Sequence, residues 1–165
     1  MPQMLFDFRD PQAVTAWAPI DDRVMGGLSR SRLRHNPAGH AVFEGEVSLA
    51  RQGGFASVRS TAAARGWAGA EVCLVELLGD GRPYKLSLLV DDGFDSQSYQ
   101  AGLHPVGPGW QTLTLPIAAF RASFRGRELA AALPLDPSAI RQVGLMTADR
   151  QAGPFTLAIR MIGLA

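Results

Sequence analysis

The chain has 165 residues, of which 47% are hydrophobic and 19% charged, with 16 basic against 15 acidic side chains. That composition excludes a disordered polar chain and supports one core, because a domain of about 150 residues buries roughly 70% of the surface its unfolded chain exposes. A net charge of +1 excludes the broad positive field that nucleic acid or an anionic membrane surface demands.

Read from the N-terminus, the start Met1-Pro2-Gln3-Met4-Leu5-Phe6-Asp7 lacks the basic residues and long apolar run of a secretory leader, and no stretch reaches the ~20 apolar residues of a membrane helix. The only cysteine, Cys73, rules out an intramolecular disulfide and a cysteine-based zinc site. Together these features predict a soluble protein of the cytoplasm without membrane insertion. Pro11 to Trp17 is expected to form a short helical turn. From position 43 onward, short segments of period two alternate with Gly, Pro and Asp, the pattern of an antiparallel all-β domain. In Phe43-Glu44-Gly45-Glu46-Val47-Ser48-Leu49 the odd positions share one face and the polar even positions the other. Phe55, Ser57 and Arg59 share a face of the next strand, opposite Ala56 and Val58. Glu71 to Val75 reads as an apolar strand with Cys73 as a small core residue.

Tyr84 to Val90 alternates again, and Asp91-Asp92-Gly93 supplies a tight turn after which Ser98 to Leu103 returns as its partner strand. Trp110 to Leu115 is a strand closed by Pro116, which has no N–H for a ladder. Ala118 to Leu133, rich in Arg and Ala, is expected to be irregular with at most one short helix. Asp136-Pro137 reads as a helix N-cap and first turn. Val143 to Thr147 and Phe155 to Ile162 are two further strands, separated by the turn-forming cluster 149–154. Neither repeat nor linker is visible, so residues 1–165 are expected to be one β-sandwich domain.

Chemistry concentrates in two glycine-paired segments. Asp21-Asp22-Arg23-Val24-Met25-Gly26-Gly27-Leu28-Ser29-Arg30-Ser31 combines both charge signs with hydroxyl groups; it reads either as a self-satisfied turn or as a site for a polar ligand or peptide backbone. Gln52-Gly53-Gly54-Phe55-Ala56-Ser57-Val58-Arg59 places Arg59 on an alternating strand, where it must reach solvent or a carboxylate such as Asp22. The candidate binding residues are therefore Asp22, Arg23, Ser29, Ser31, Ser57 and Arg59, with Asp22, Ser31, Ser57 and Arg59 expected to line one polar cleft. Asp91, Asp92, Asp95 and Ser96 do not complete a calcium loop and are expected to form a hairpin turn. His35, His40 and His104 lie in separate, loop-like segments without ligand spacing. No nucleophile elbow, phosphate-cradling loop or dinucleotide fingerprint is present, so neither cofactor, metal nor catalytic residues are expected. Phe120, Arg121, Phe124, Arg125 and Arg127 read either as a grip on an acidic partner surface or as a solvated loop with its aromatic rings tucked inward.

Several of these motifs occur in a fixed order: Trp17, then Asp22-x-Val-Met-Gly-Gly-x-Ser-x-Ser31, Phe43-x-Gly45-x-Val-Ser48-Leu49 and Gly53-Gly54-Phe55-Ala-Ser57-Val-Arg59. Gly81-Arg82-x-Tyr84, Trp110 with Pro116 and Phe120, Arg125-Gly126-Arg127, Val143-Gly144-Leu145-Met146 and Gly153-Pro154-Phe155 follow. The set resembles the complex I intermediate-associated protein family over nearly the whole chain. The resemblance implies a galactose-binding-domain-like jelly-roll β-sandwich and a non-catalytic protein-interaction role like that of a respiratory complex I assembly factor, with respiratory-complex subunits as partners. The alternative reading is a carbohydrate-binding module, in which exposed Trp17, Trp67 or Trp110 would stack on sugars.

Overall fold

The structure is a computed structural model, and it describes residues 3–21, 27–50, 53–93, 96–124 and 127–165. The strands are β1 (Gln3–Asp7), β2 (Trp17–Pro19), β3 (Arg30–Asn36), β4 (His40–Val47), β5 (Ser57–Ser60), β6 (Val72–Leu78) and β7 (Tyr84–Leu89). There follow β8 (Ser98–Leu103), β9 (Gln111–Pro116), β10 (Arg121–Phe124), β11 (Arg127–Glu128), β12 (Gln142–Thr147) and β13 (Gly153–Leu164). Six form one antiparallel sheet in the order β3-β4-β13-β6-β9, with β1 also on β13. Seven form the other, in the order β11-β10-β8-β7-β12-β5-β2. This is the sandwich that the period-two segments predict, and Pro11–Ala16 and Pro137–Ala139 are the short helical turns, both 3₁₀, capped by the Asp10 and Asp136 carboxylates.

Alternation decides which residues meet between the sheets. Phe43, Leu157 and Ile159 face inward from one sheet and Tyr84, Leu86, Leu88 and Val143 from the other, all fully buried. Phe43, Tyr84 and Phe155 meet edge-on, with centroids 4.9 to 6.2 Å apart. Cys73 lies in this core, where burial pushes its thiol up to about 12 and leaves it chemically inert.

The Gly81-Arg82-x-Tyr84 motif ties the two sheets together. Asp80 Oδ2 accepts from the Tyr84 hydroxyl at 2.9 Å and from the Thr156 N–H at 2.9 Å, while Arg82 donates to the carbonyls of Gln151 and Ala152. Burial and the Asp80 hydrogen bond hold the Tyr84 phenol protonated. Tyr84→Phe removes one bond but leaves Asp80 its backbone donor; chemical denaturation is expected to read a loss of about 1 kcal/mol.

One expectation needs correction. The described residues of 118–133 are irregular only from 129 onward: after a 3₁₀ turn at Ile117–Ala119 the chain forms β10 and β11, with Ser123 opposite Glu128 and Phe124 opposite Arg127. Ala122 faces the core while Arg121 points out, an alternation masked by the small size of alanine. Phe120 is tucked inward and Arg121 and Arg127 are exposed; Arg125 lies outside the described residues.

Candidate functional site

The edge where β2, β3 and β5 converge carries the candidate serines. Ile20 donates its N–H to the Ser57 carbonyl at 2.8 Å, which brings the end of β2 against β5. Asp21 Oδ1 accepts from the Ser57 N–H at 2.9 Å and from the Ser31 hydroxyl at 2.5 Å; Ser31 Oγ also lies 3.1 Å from the Ser57 carbonyl, and the Ser57 hydroxyl donates to Ile20 O. Ser29 is fully buried, and its oxygen accepts the Ser48 N–H at 2.9 Å. These serines stitch three chain segments together. The carboxylate that joins Ser31 to Ser57 is Asp21, 7% exposed, which sequence reasoning passed over in favour of its neighbour. Asp22 and Arg23 lie outside the described residues. No period-two signal marks Asp21, because burial over Trp17, Ala18, Pro19, Ile20 and Asp21 does not alternate; the approach of Ile20 to Ser57 is what places it.

Ser31 and Ser57 are therefore adjacent, whereas Arg59 stands one step along the same face of β5, opposite Ala18 of β2 and Gly144 of β12. Its guanidinium is partly buried, which disfavours the charge and lowers its pKa, while attraction to Asp91 opposes that shift. The registers extend this position into a row across the sheet. Gly144 lies opposite Ser87, Ser87 opposite Gln100 and Gln100 opposite Arg121. The row Ala18–Arg59–Gly144–Ser87–Gln100–Arg121 occupies the outer face, since Val58, Leu86, Leu145 and Tyr99 on the alternate positions belong to the core. Lys85 stands on the neighbouring row, opposite Met146 and Gly102.

The 91–93 turn is a hairpin stop: Asp91 accepts the Gly93 N–H at 2.9 Å, Asp92 pairs with Arg141, and Gln142 Nε2 donates to Asp91 O at 2.8 Å. Asp95 lies outside the described residues. No group of three metal-ligating side chains occurs among the described residues, and no described helix is long and apolar enough to cross a membrane.

His35 and His40 are not in loops: they sit on β3 and β4, His35 opposite Ala41 and Asn36 opposite His40. His40 meets the Trp110 ring edge-on at 5.2 Å, and burial, then Arg160, lowers its pKa. Glu44 is lowered by its bonds to Arg34 and Arg32 despite desolvation. Both groups bind protons more readily when unfolded, so their stabilisation is present above the unfolded values of 6.5 and 4.5 and is lost as pH falls through the folded ones. Thermal midpoints are expected to fall on acidification from neutrality, and His40→Gln to flatten the part just below pH 6.5 while leaving the glutamate part.

The tryptophans do not share a surface. Trp17 is 9% exposed and packs on Phe6 and Phe8; Trp110 lies under the Arg160 guanidinium at 4.0 Å on the outer face of the other sheet; Trp67 is 37% exposed, and its backbone N–H donates to Pro137 O. A cavity of about 260 Å³ lies between Tyr99, Ile117, Phe120, Leu129 and Leu135; the Tyr99 hydroxyl there donates to Leu133 O at 2.9 Å.

Two antiparallel sheets over a shared core, with short 3₁₀ turns at their margins, define a galactose-binding-like β-sandwich. The family 11 carbohydrate-binding module of Clostridium thermocellum is similar to it with a TM-score of 0.72, over 99% of this chain and 94% of that one at 15% identity. An exo-β-agarase is similar with a TM-score of 0.60 over 99% of this chain and 24% of that one, at 13% identity. Likeness at such identity shows the fold. The chain belongs to the complex I intermediate-associated protein 30 (CIA30) family, whose profile matches residues 6–159. "Complex I intermediate-associated protein 30, mitochondrial" of Drosophila melanogaster is 27% identical, matched over 98% of this chain and 62% of its own length. The Mus musculus protein of the same name is 26% identical over 98% of this chain and 56% of its own. The chain thus spans about three fifths of the curated relatives it matches most fully.

These names overturn the expectation of a cytoplasmic location. A single reduced cysteine fits any reducing compartment, the interior of a mitochondrion included, so composition did not discriminate between them.

Proposed function

We propose that this chain is a non-catalytic protein-binding module of the respiratory complex I assembly type. The observation that carries this reading is its correspondence, over 98% of its length, to relatives named complex I intermediate-associated proteins. The site geometry supports it: the hydroxyls and the carboxylate at the β2–β3–β5 edge bond one another and backbone groups, the arrangement of a brace and not of a nucleophile beside a base. Cross-linking in the source cell followed by capture of the tagged chain is expected to recover subunits of complex I or its precursors. Capture that recovers none of them from respiring cells overturns the reading.

Carbohydrate binding is the second reading, favoured by one observation: the family 11 module of like fold, TM-score 0.72, is known in complex with a β-1,3-1,4-mixed-linked tetrasaccharide. The scattered tryptophans give this chain no shared stacking platform. Calorimetric titration with that tetrasaccharide is expected to show no heat of binding; a saturable heat would promote this reading over the first.

A further inference from the structure

We propose that the outer face of the seven-stranded sheet is the docking site for an extended acidic segment of a protein partner, with Lys85 and Arg121 as its anchoring cations. The proposal rests on the protein-binding reading and names the chemistry of the partner.

Three observations carry it. First, the face is a trough: Gly144, Ser87 and Ser98 form a recessed floor, Ser87 only 6% exposed, while Lys85 and Gln100 are partly buried and Arg121 is exposed along its sides. Gly144 keeps the floor low, because the nearest atoms to a Cβ there belong to Ser87 and to Val58 O within the sheet itself. Second, the charge is one-sided. On the opposite sheet most outward strand cations are matched: Arg32 and Arg34 pair with Glu44 at 2.6 and 2.9 Å, and Arg160 with Glu76 at 3.0 Å, Arg30 being the exception among the described residues. Among the described residues, Lys85 and Arg121 have no such ion pair, and the only carboxylate on an outward strand position of this face is Glu128, on the outermost strand. Third, the described outward strand positions of this face carry no aromatic ring, so neither sugars nor bases find a stacking surface.

The spacing selects an extended chain. Lys85 and Arg121 are two strands apart and offset by two residues, which places their Cα atoms roughly 12 Å from each other. A strand-like peptide rises about 3.4 Å per residue, so acidic side chains about four residues apart, on one side of it, meet both cations. Gln100, on the strand between them, and Ser87, beside Lys85 on its own strand, offer amide and hydroxyl groups to the intervening peptide units. Complementary charge of this kind steers association and fixes register more than it adds affinity, so the interaction is expected to be sensitive to salt.

The test is a titration of the intact chain, followed by NMR shifts or calorimetry at low ionic strength. The probes are a peptide of about twelve residues with glutamate at every fourth position and serine between, its glutamine counterpart, and the mixed-linked tetrasaccharide. The acidic peptide is expected to bind, to weaken as salt rises, and to lose about tenfold in affinity in the Lys85→Glu/Arg121→Glu double variant. Lys85→Gln/Arg121→Gln, a gentler change, is expected to show a smaller loss in the same direction. Arg30→Gln, on the opposite sheet, is expected to leave affinity within about twofold. Absence of acidic-peptide binding, equal binding of acidic and neutral peptides, equal losses in the Arg30 variant, or binding of the tetrasaccharide that depends on Lys85 and Arg121 would each overturn the proposal. Failure here remains separable from failure of the protein-binding reading: capture of complex I subunits undiminished by the double variant overturns the docking face alone.

Discussion

Replacing Gly45 with alanine is expected to lower stability by about 2–4 kcal/mol, the larger of two effects that rest on the β3 edge. A Cβ at this position would lie 2.0 Å from the carbonyl oxygen of Arg30 and 2.8 Å from the Cα of Ser31, both backbone atoms of the paired strand. Backbone cannot rotate away as a side-chain tip can, so β3 must retreat from β4 around the Ser31–Gly45 pair. That strand pairs with β4 alone, so its displacement is easier than that of a central strand, which bounds the loss. The retreat also pulls Ser31 from Asp21, at present 2.5 Å apart. Urea denaturation followed by tryptophan fluorescence reads the effect; a midpoint within error of the parent protein would show that β3 and β4 do not approach as described.

Asp21→Ala is expected to cost about 2–3 kcal/mol, and Asp21→Asn about 1 kcal/mol. The buried carboxylate accepts from Ser57 N–H and Ser31 Oγ, and alanine leaves the buried Ser57 amide without this acceptor. Asparagine keeps one acceptor oxygen of nearly the same shape and preserves the amide bond while losing the charge-assisted part. In a chain of this size each kcal/mol moves the thermal midpoint by about 2–4 °C, so scanning calorimetry resolves alanine from asparagine. An alanine variant as stable as the parent would refute the bracing role of Asp21. Because Gly45→Ala already weakens the Ser31 contact, the two alanine variants combined are expected to lose less than the sum of their separate losses.

The same edge shows what can be read without coordinates. Segments whose polar positions recur at period two announce themselves: in Tyr84–Leu89, Lys85 and Ser87 separate Tyr84, Leu86 and Leu88, which enter the core. Pro137 after Asp136 identifies a capped turn by chemistry local to three residues. The strand β3, in contrast, is Arg-Ser-Arg-Leu-Arg-His-Asn, an edge strand with only Leu33 packed against the core, and hydrophobic periodicity has little to detect there. β2 spans three residues and β11 two, too few for any period to register. For the candidate site, Ser31 and Ser57 were legible as a polar pair, but Asp21 became their organiser only once Ile20 was seen bonded to Ser57.

Within this chain, local sequence determined the strand-rich class, the turns at Asp91–Gly93 and after Asp149, and the membership of the CIA30 family, because side-chain size, φ preference and motif order are properties of neighbours along the backbone. Tertiary structure decided which strands lie side by side. β12 and β13 follow one another in sequence yet belong to opposite sheets, and the row from Ala18 through Arg59, Gly144, Ser87 and Gln100 to Arg121 draws one residue from each of six separate strands. Strand register depends on long-range pairing and on the fit of the two buried faces, so the cationic trough exists only when the sandwich closes.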